Sequence, residues 1–364
     1  MRPTWCDIDL DAIRHNVGVL GALAGEAALC AVVKADAYRH GAVPVARAVV
    51  EAGAPWLAVA LVEEAAELRA AGLDVPILVL SEPPPGDMAE VAELGGVRPT
   101  VYSEAGIDAF AGAAPGSPVH LKVDTGMHRV GAAPVDAADL ARRALGAGLV
   151  LEGVFTHFAV ADAPADPFTG VQVGRFDTVL AELAELGIHP ELVHLANTAG
   201  LITSPESRRS LVRAGIGIYG VAPSPGLASA CADLGLRPAA RLRSEVRHVH
   251  VVEVGEGVSY GRRWRAGEPT HLATIPIGYA DGINRAWWEG GSVLVGGRRR
   301  PIRGVVTMDQ LVVEVDDDVM VGDEVVLLGG QGDESISAEE VAASLGTITY
   351  EVLVSLGARV PRRY

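Results

Sequence analysis

The chain has 364 residues, of which 49% are hydrophobic, and carries a formal net charge of −16. This length exceeds what one hydrophobic core usually holds, so we expect one large domain and one smaller one. The apolar content excludes a disordered chain, and the negative charge argues against nucleic acid and anionic membrane surfaces as partners. The one basic run, Arg298–Arg300, lies between two glycines and a proline, which predicts the solvated tip of a hairpin.

The cysteines and the N-terminus indicate the cellular compartment. Cys6, Cys30 and Cys231 are far apart and form no C-x-x-C pair, which predicts reduced thiols in a cytoplasmic protein. The first ten residues contain no long apolar stretch, so no signal peptide is expected. No apolar segment approaches the ~20 residues of a membrane-spanning helix.

Short apolar runs rich in β-branched residues recur along the first part of the chain, and helical Ala/Glu/Leu patterns such as Val62–Ala71 and Phe176–Leu186 separate them. The runs are Leu29–Val33, Trp56–Ala60, Pro76–Leu80, Arg98–Val101, Val119–Val123, Leu149–Phe155, Leu192–Ala196 and Leu211–Ala214. Apolar strands that alternate with helices are typical of parallel strands covered by helices. Eight such units predict an α/β fold of the (β/α)8 TIM-like barrel type; a doubly wound open sheet is the competing arrangement.

After about Ser224 the pattern changes to period-two alternation with glycine-containing turns, which predicts a mostly β domain. The clearest strands are Ser292–Val295, Gln310–Val315 and Asp323–Leu328, followed by a short helix over Ala338–Leu345 and a last strand near Tyr350–Val354. We place the linker at Pro223–Leu227. The predicted domains are therefore a barrel over 9–224 and a β domain over 225–364, with the extended residues 1–8 pairing onto the second.

Lys34 stands where the first barrel strand ends, and the polar loop Ala35–Gly41 follows it. Catalytic residues of such barrels lie at the C-terminal ends of the strands. Desolvation there lowers the pKa of a lysine toward the free amine, which can form a Schiff base with an aldehyde cofactor. A surface lysine that closes a strand is the alternative interpretation.

Other strand ends carry polar residues too. They are Lys122 and Arg129 after the fifth strand, His157 after the sixth, Asn197 and Thr198 after the seventh, and Arg213, Gly215 and Gly217 after the eighth. The glycines beside Arg213 let backbone N–H groups approach a phosphate, and the planar fork of Arg129 suits a carboxylate. A lone His157 is more often a core histidine than a base.

In the second domain, Tyr260 lies between Gly257 and Gly261, which is typical of an aromatic residue at a β-turn. A tyrosine serves as a base near neutral pH only where a cation lowers its pKa. His248 and His250 share one face of a strand, but without a third ligand nearby no metal site is predicted.

Taken together, these motifs closely resemble the alanine racemase family of the fold-type III superfamily that uses pyridoxal phosphate (PLP). The resemblance covers essentially the whole chain through Val33–Gly41, Lys122–Gly131, Asn197–Gly200, Arg213–Gly220, Val258–Trp264, Ile277–Gly282 and Met308–Gln310. It implies a cytoplasmic isomerase that converts L-alanine to D-alanine by a two-base mechanism, which would supply D-alanine for peptidoglycan.

The resemblance also implies roles for the residues around the cofactor. Lys34 would bind PLP covalently, Arg213 would face its pyridine nitrogen, and His157 would hydrogen-bond Arg213. The remaining cofactor contacts, most of them to the phosphate, would come from Tyr38, Asn197, Thr198, Gly215, Ile216 and Tyr350.

For the substrate, the resemblance implies that Lys34 and Tyr260 are the two bases. Arg129 would bind the substrate carboxylate or the phenol of Tyr260, and the backbone N–H of Met308 would also meet the carboxylate. Tyr260 and Met308 would come from the second subunit of a head-to-tail homodimer. Supporting residues would be Lys122, which aligns with a lysine that is often carbamylated, Asp309 beside Met308, and Tyr279, which would narrow the entrance.

The sequence departs from the family at Arg39, where glycine is usual, at Ala214, where proline is usual, and at Thr198, where serine is usual. Alternatives are a racemase of another small amino acid such as serine, a fold-type III decarboxylase, and a non-catalytic PLP-binding protein. The decarboxylases usually carry a catalytic C-terminal cysteine, and no cysteine follows Cys231. The non-catalytic proteins resemble the barrel alone.

Overall fold

The computed structural model describes residues 2–364 and divides them into two compact units. The barrel unit contains Asp11–Ala37 and Gly41–Arg237, and the C-terminal unit contains the segment up to Leu10, Tyr38–His40 and Pro238–Tyr364. The predicted domain boundary between residues 224 and 225 stays a prediction. Among residues 2–364, no helix combines the length and the apolar character that crossing a membrane requires.

Eight parallel strands form the sheet of the barrel unit, in the order β8-β7-β6-β5-β4-β3-β2-β9. After β1 (Thr4–Ile8), which belongs to the other unit, they are β2 (Ala28–Val32), β3 (Trp56–Val59), β4 (Ile77–Val79), β5 (Val97–Val101), β6 (Pro118–Lys122), β7 (Val150–Phe155), β8 (Leu192–His194) and β9 (Leu211–Ala214). The two edges of the sheet meet where Ser210 N donates to Val193 O at 3.1 Å and Arg213 N donates to Ala196 O at 2.9 Å. The predicted eight-stranded barrel is confirmed, and the open sheet is excluded.

Helices alternate with these strands as the apolar pattern predicts. In order they are α1 (Leu10–Ala24), α2 (Lys34–Arg39), α3 (Ala42–Glu51), α4 (Val62–Ala70), α5 (Met88–Glu93), α6 (Glu104–Ala113), α7 (Ala137–Gly146), α8 (Phe168–Glu185), α9 (Thr198–Thr203) and α10 (Ala228–Asp233). In α3, Ala42, Val45, Ala46 and Val49 are buried, at the spacing of one helix face. The helices thus bury their apolar faces against the sheet.

The C-terminal unit is mostly β structure, as expected. Its further elements are β10 (Ala240–Glu245), β11 (His248–Val252), β12 (Gly257–Val258), β13 (Trp264–Arg265), β14 (Thr270–Ile275), β15 (Ser292–Val295), β16 (Arg298–Pro301), β17 (Leu311–Glu314), β18 (Glu324–Gln331), β19 (Glu334–Ile336), α11 (Ala338–Leu345), α12 (Thr349–Val354) and β20 (Arg362–Arg363). The largest sheet has the order β16-β15-β18-β10-β1-β20, with β19 paired to β18. In it, β1 pairs antiparallel with β10 and parallel with β20.

Two local predictions in this unit are wrong. The segment Tyr350–Val354 is not a strand but belongs to α12, because Thr349, Leu353 and Leu356 are buried at helical spacing and this burial outweighs β propensity. The run Arg298–Arg300 does not form the tip of its hairpin but lies on β16, paired with β15. The tip is Gly296–Gly297, where both residues have positive φ.

A buried carboxylate ties the N-terminal segment to the C-terminal end of this unit. The side chain of Asp281 is fully buried and accepts hydrogen bonds from Arg2 Nη1 at 2.7 Å and Arg2 Nη2 at 2.8 Å. It also lies 3.2 Å from Arg359 Nε and accepts from Gly278 N at 3.0 Å. Breaking a buried ion pair lowers the stability of the folded state far more than an exposed ion pair raises it.

We therefore predict that Asp281→Asn lowers the free energy of unfolding by about 3 kcal/mol, because two arginines lose the charge that they surround. Urea unfolding followed by circular dichroism measures the change. The matched control is Asp139→Asn, in which the lost partner is the exposed Arg142. Equal stability of the two variants would show that Asp281 contributes no more than a surface ion pair.

Candidate active site

The C-terminal ends of the barrel strands bring together the cationic residues that the sequence singled out. Lys122, Arg129 and His157 line one small pocket, together with Thr156. The charges of Arg213, Arg129 and Lys34 all act on Lys122 and lower its pKa. The barrel unit therefore collects positive charge at one face, although the whole chain is strongly acidic.

Lys34 opens a turn with an uncommon backbone. The five residues Ala35–Arg39 all have φ between 51° and 64°, so α2 is a short left-handed helix without glycine. Such a turn costs roughly 1–2 kcal/mol per residue. Glu64 stabilises it, because its Oε1 accepts from Ala35 N at 2.6 Å while its Oε2 accepts from Ala60 N at 2.8 Å. Backbone strain of this kind occurs mostly at functional sites.

The amines of both lysines are shifted toward the neutral form. Burial, and then the charge of Arg129, lower the pKa of Lys34, while Glu64 opposes the shift. Burial, and then the charge of Arg213, lower the pKa of Lys122 to about 7. Lys122 Nζ donates to Leu80 O at 3.2 Å and lies 5.4 Å from the centre of the Phe155 ring. A neutral amine is the nucleophilic form.

The guanidinium of Arg213 is buried and almost fully bonded. Nη1 contacts His194 Nδ1 at 2.9 Å and donates to His194 O at 3.0 Å, while Nη2 donates to Thr156 O at 2.7 Å and to Leu195 O at 3.0 Å. Nη2 also lies 3.3 Å from His157 Nδ1. The remaining donor, Nε, makes none of these bonds. Burial, and then the charge of Arg213, lower the pKa of His157 well below its usual range, so that ring is neutral.

The side chain of Arg129 and the backbone N–H of Ile216, which follows β9, are two groups that can bind anions. The side chain of Arg129 is exposed and has no ion-pair partner within residues 2–364. Asp124 Oδ1 shapes the loop that carries Arg129, because it accepts from Gly126 N at 2.9 Å and from His128 N at 3.0 Å. Near Arg213, Ile216 N has no protein acceptor in the described chain.

Thr198 and Asn197 organise the same region from the neighbouring strand. Asn197 Oδ1 caps α9 by accepting from Gly200 N at 2.9 Å. Thr198 Oγ1 accepts from Gly215 N at 2.9 Å, so the N–H of Gly215 already has a partner within the protein. The N–H of Ile216 is therefore the free donor of this segment.

In the C-terminal unit, Tyr260 occupies a strained turn. Ser259, Gly261 and Arg262 all have positive φ, and the Ser259 hydroxyl donates to Val305 O at 2.6 Å. The side chain of Tyr260 is 71% exposed. The turn thus presents the phenol outward from a backbone that few sequences adopt.

The same unit places Tyr279 beside Met308 and pairs Tyr38 with Tyr350. Tyr279 N donates to Thr307 O at 3.0 Å, and a Cβ on the preceding Gly278 would lie 2.2 Å from that oxygen, so only glycine fits there. The rings of Tyr38 and Tyr350 have centres 6.2 Å apart. Asp309, next to Met308, accepts from Arg359 Nη2 at 2.6 Å.

Sequence reasoning missed Glu64 and a buried pair of histidines, His120 on β6 and His194 on β8. A histidine inside an otherwise apolar parallel strand is a usable signal, because such a position normally excludes polar side chains. Glu64 gave no comparable signal, since a glutamate in the first turn of a helix is common.

Comparisons with known proteins agree with this arrangement. The family model for the N-terminal domain of alanine racemase matches residues 8–223, and the model for its C-terminal domain matches residues 239–364. Among curated relatives, an alanine racemase of Symbiobacterium thermophilum is 45% identical, covering 100% of this chain and 97% of the relative. One of Thermobifida fusca is 43% identical, covering 98% of this chain and 96% of the relative.

Solved structures give the same result. Alanine racemase from the D-cycloserine producer Streptomyces lavendulae has a TM-score of 0.95 and 42% identity, covering 100% of this chain and 97% of the other. The Bacillus anthracis enzyme with bound L-Ala-P has a TM-score of 0.91 and 39% identity, covering 100% and 95%. Both family models and the solved structures agree, and the chain belongs to the alanine racemase family.

Proposed function

We propose that this chain interconverts L-alanine and D-alanine, with Lys34 and Tyr260 as the two bases. The observation that carries the proposal is the pairing of a desolvated Lys34 with a buried Arg213 whose Nε makes no bond within the protein. The family works with PLP, and these residues fit that cofactor. A shifted amine suits its aldehyde, while Arg213 Nε and Ile216 N are donors that suit its ring nitrogen and its phosphate.

The proposed contacts to PLP are the ones that the family resemblance implies for these residues. Lys34 would bind the cofactor covalently, and the phosphate would be held by Ile216 N, by Tyr38 and Tyr350, and by the segment that Asn197, Thr198 and Gly215 shape. Arg213 would face the pyridine nitrogen, with His157 Nδ1 beside its Nη2. When bound, PLP withdraws electrons from Cα of an amino acid and so makes its α-proton acidic. Because Arg213 only donates, it leaves the ring nitrogen without a proton, which keeps this withdrawal moderate.

The proton is moved by the chain's own residues. Tyr260 Oη, as the phenolate, would take the α-proton of L-alanine on one face and become the phenol, while Lys34 Nζ, as the ammonium, would give a proton to the other face and become the amine; the reverse direction exchanges these roles. Arg129 holds the substrate carboxylate, with the N–H of Met308 as a second donor. Tyr279 narrows the entrance, and Asp309 supports the Met308 loop through Arg359. A small entrance favours alanine over larger amino acids.

The amine of Lys122 is suited to modification by CO2 to a carbamate. Its pKa of about 7 leaves much of the amine neutral, and a neutral amine adds CO2 with the release of one proton. The product is an anion surrounded by the positive charges of Arg213, Arg129 and Lys34, so modification replaces repulsion by attraction. We propose that this carbamate orients Arg129.

We further propose that the active enzyme is a cytoplasmic homodimer in which Tyr260 and Met308 complete the partner's site, and that its product serves peptidoglycan synthesis. The exposure of these two large side chains, 71% for Tyr260 and 52% for Met308, supports this arrangement. Exposed apolar side chains indicate an interface where they cluster, and the hydrogen bond from the Ser259 hydroxyl to Val305 O joins the segments that carry these two residues.

The two-base mechanism predicts an asymmetry in Tyr260→Phe. Net racemisation should be lost in both directions, whereas Lys34 should still exchange the α-proton of D-alanine with solvent deuterium. Removal of a general base costs about 10²–10⁴ in rate, so exchange at L-alanine should fall by that factor. NMR of the α-proton in heavy water measures both enantiomers separately. Equal losses for the two enantiomers would contradict one base per face.

A site shared between two subunits predicts that two inactive variants restore activity to each other. We expect that mixing inactive Lys34→Ala with inactive Tyr260→Phe, and allowing subunits to exchange, restores activity. In the mixed dimer one site carries both substitutions and the other carries neither. The control is each variant exchanged with itself, which should stay inactive. Verified exchange without any recovery would place both bases in the same chain.

A further inference from the structure

A chain of hydrogen bonds leads from Arg213 into the barrel and ends on a carboxylate. Arg213 Nη1 lies 2.9 Å from His194 Nδ1, His194 Nε2 lies 2.9 Å from His120 Nδ1, and His120 Nε2 lies 3.1 Å from Glu152 Oε2. We call these four residues the histidine chain. Both imidazoles are completely buried, and Arg98 Nε donates to the same Glu152 oxygen at 2.8 Å. None of these links is needed to close the barrel.

The donors and acceptors fix the direction of this chain. A guanidinium only donates, so His194 Nδ1 must accept and the ring carries its proton on Nε2. That proton points to His120 Nδ1, which must accept in turn, so His120 carries its own proton on Nε2. The last acceptor is the carboxylate of Glu152. Every ring nitrogen is then satisfied, and a single tautomer of each histidine allows this.

Protonation of either histidine would break the pattern. A doubly protonated His120 would donate to His194 Nε2 and so move the proton of His194 to Nδ1. That proton would face the N–H of Arg213 at a nitrogen separation of 2.9 Å. Burial is the main cause that lowers the pKa of both histidines, and the charge of Arg213 adds to it, whereas the carboxylate of Glu152 opposes the shift at His120. The hydrogen-bond pattern itself admits both rings only as neutral imidazoles.

The fold makes room for these rings. A Cβ on Gly153 would lie 2.5 Å from His120 Nδ1, so glycine is required on β7 where His120 crosses it. The register between β6 and β7 shifts at the same place, between Val119 and His120. His194 stacks on Phe155 with ring centres 4.6 Å apart and an interplanar angle of 8°.

The far end of the chain is held as an anion. Burial alone would raise the pKa of Glu152, but hydrogen bonds from His120 and Arg98 lower it to about 2. Hydrogen bonds in a chain polarise one another in a medium of low dielectric constant. The negative end therefore strengthens each link back to Arg213.

We propose that Glu152, a half-buried carboxylate that also pairs with Arg98, is the anionic end of the hydrogen-bond chain that holds Arg213, and that His120 and His194 connect the two as neutral imidazoles of one tautomer. The histidine chain fixes the orientation of the guanidinium so that Nε stays available to the cofactor. His120, His194 and Glu152 are thus positioning residues. The inference rests on the role proposed above for Arg213, but the tautomers themselves do not depend on it.

The first test is ¹⁵N NMR of the histidine-labelled enzyme, with and without PLP. We expect both rings to be protonated on Nε2 and bare on Nδ1, without change from about pH 6 to about pH 8, where an ordinary histidine loses its charge. A charged ring, or a proton on Nδ1 in either histidine, would overturn the proposal. This test uses the unaltered protein, so it stands even if variants fold poorly.

The second test compares Glu152→Gln with Glu51→Gln. Glu51 is an exposed glutamate paired with Arg14 in the same unit, so it is a matched control. We expect Glu152→Gln to lower kcat for alanine by about 10- to 100-fold with little change in KM, as is typical when the partner behind a contacting residue is lost. The visible absorbance of bound PLP should also shift, whereas the control should match the wild type.

The outcomes separate the two proposals. If the wild type does not racemise alanine, the proposed function fails. The NMR measurement of the two tautomers still tests the proposed hydrogen-bond order of the histidine chain. If the wild type is active and Glu152→Gln has the wild-type spectrum and kcat, Glu152 does not position Arg213 and the inference is overturned.

Discussion

The burial of Arg213 is the constraint on which the rest of the barrel face depends. A buried guanidinium needs acceptors for its N–H groups, because an unpaired charge in the interior costs several kcal/mol. Here the acceptors are the carbonyls of Thr156, His194 and Leu195 and two imidazoles. Strands β7 and β8 end at Phe155 and His194, just where these carbonyls turn toward Arg213. The carbonyls that hold the guanidinium thus lie at the ends of these two strands or just beyond them.

The same charge controls the chemistry of its neighbours. It contributes to the lowered pKa values of Lys122, His157 and His194. Burial and one buried cation together shift two imidazoles and one amine toward their neutral forms. The proposed carbamate on Lys122 and the proposed tautomers of the histidine chain both depend on the buried position of Arg213. A carboxylate at the position of Arg213 would raise these pKa values instead.

Sequence patterns predicted the barrel well, because buried parallel strands give apolar runs that no other element produces so regularly. They also placed Lys34, Lys122, His157 and Arg213 at one face, since strand ends of a barrel share a rim. The left-handed turn after Lys34 had no signal, because Ala35–Arg39 contain no glycine to mark positive φ. The segment around Tyr350 was misassigned for a related reason: its β-branched residues favour a strand, and only tertiary packing makes it α12.

The proposed role of Arg213 is to donate to the pyridine nitrogen of PLP and to leave that nitrogen without a proton. ¹⁵N NMR of the enzyme loaded with PLP labelled at that nitrogen tests it directly. We expect the chemical shift of an unprotonated, hydrogen-bonded nitrogen in the wild type, and a protonated nitrogen in Arg213→Glu, where an anion replaces the donor. A protonated nitrogen in the wild type would contradict the account.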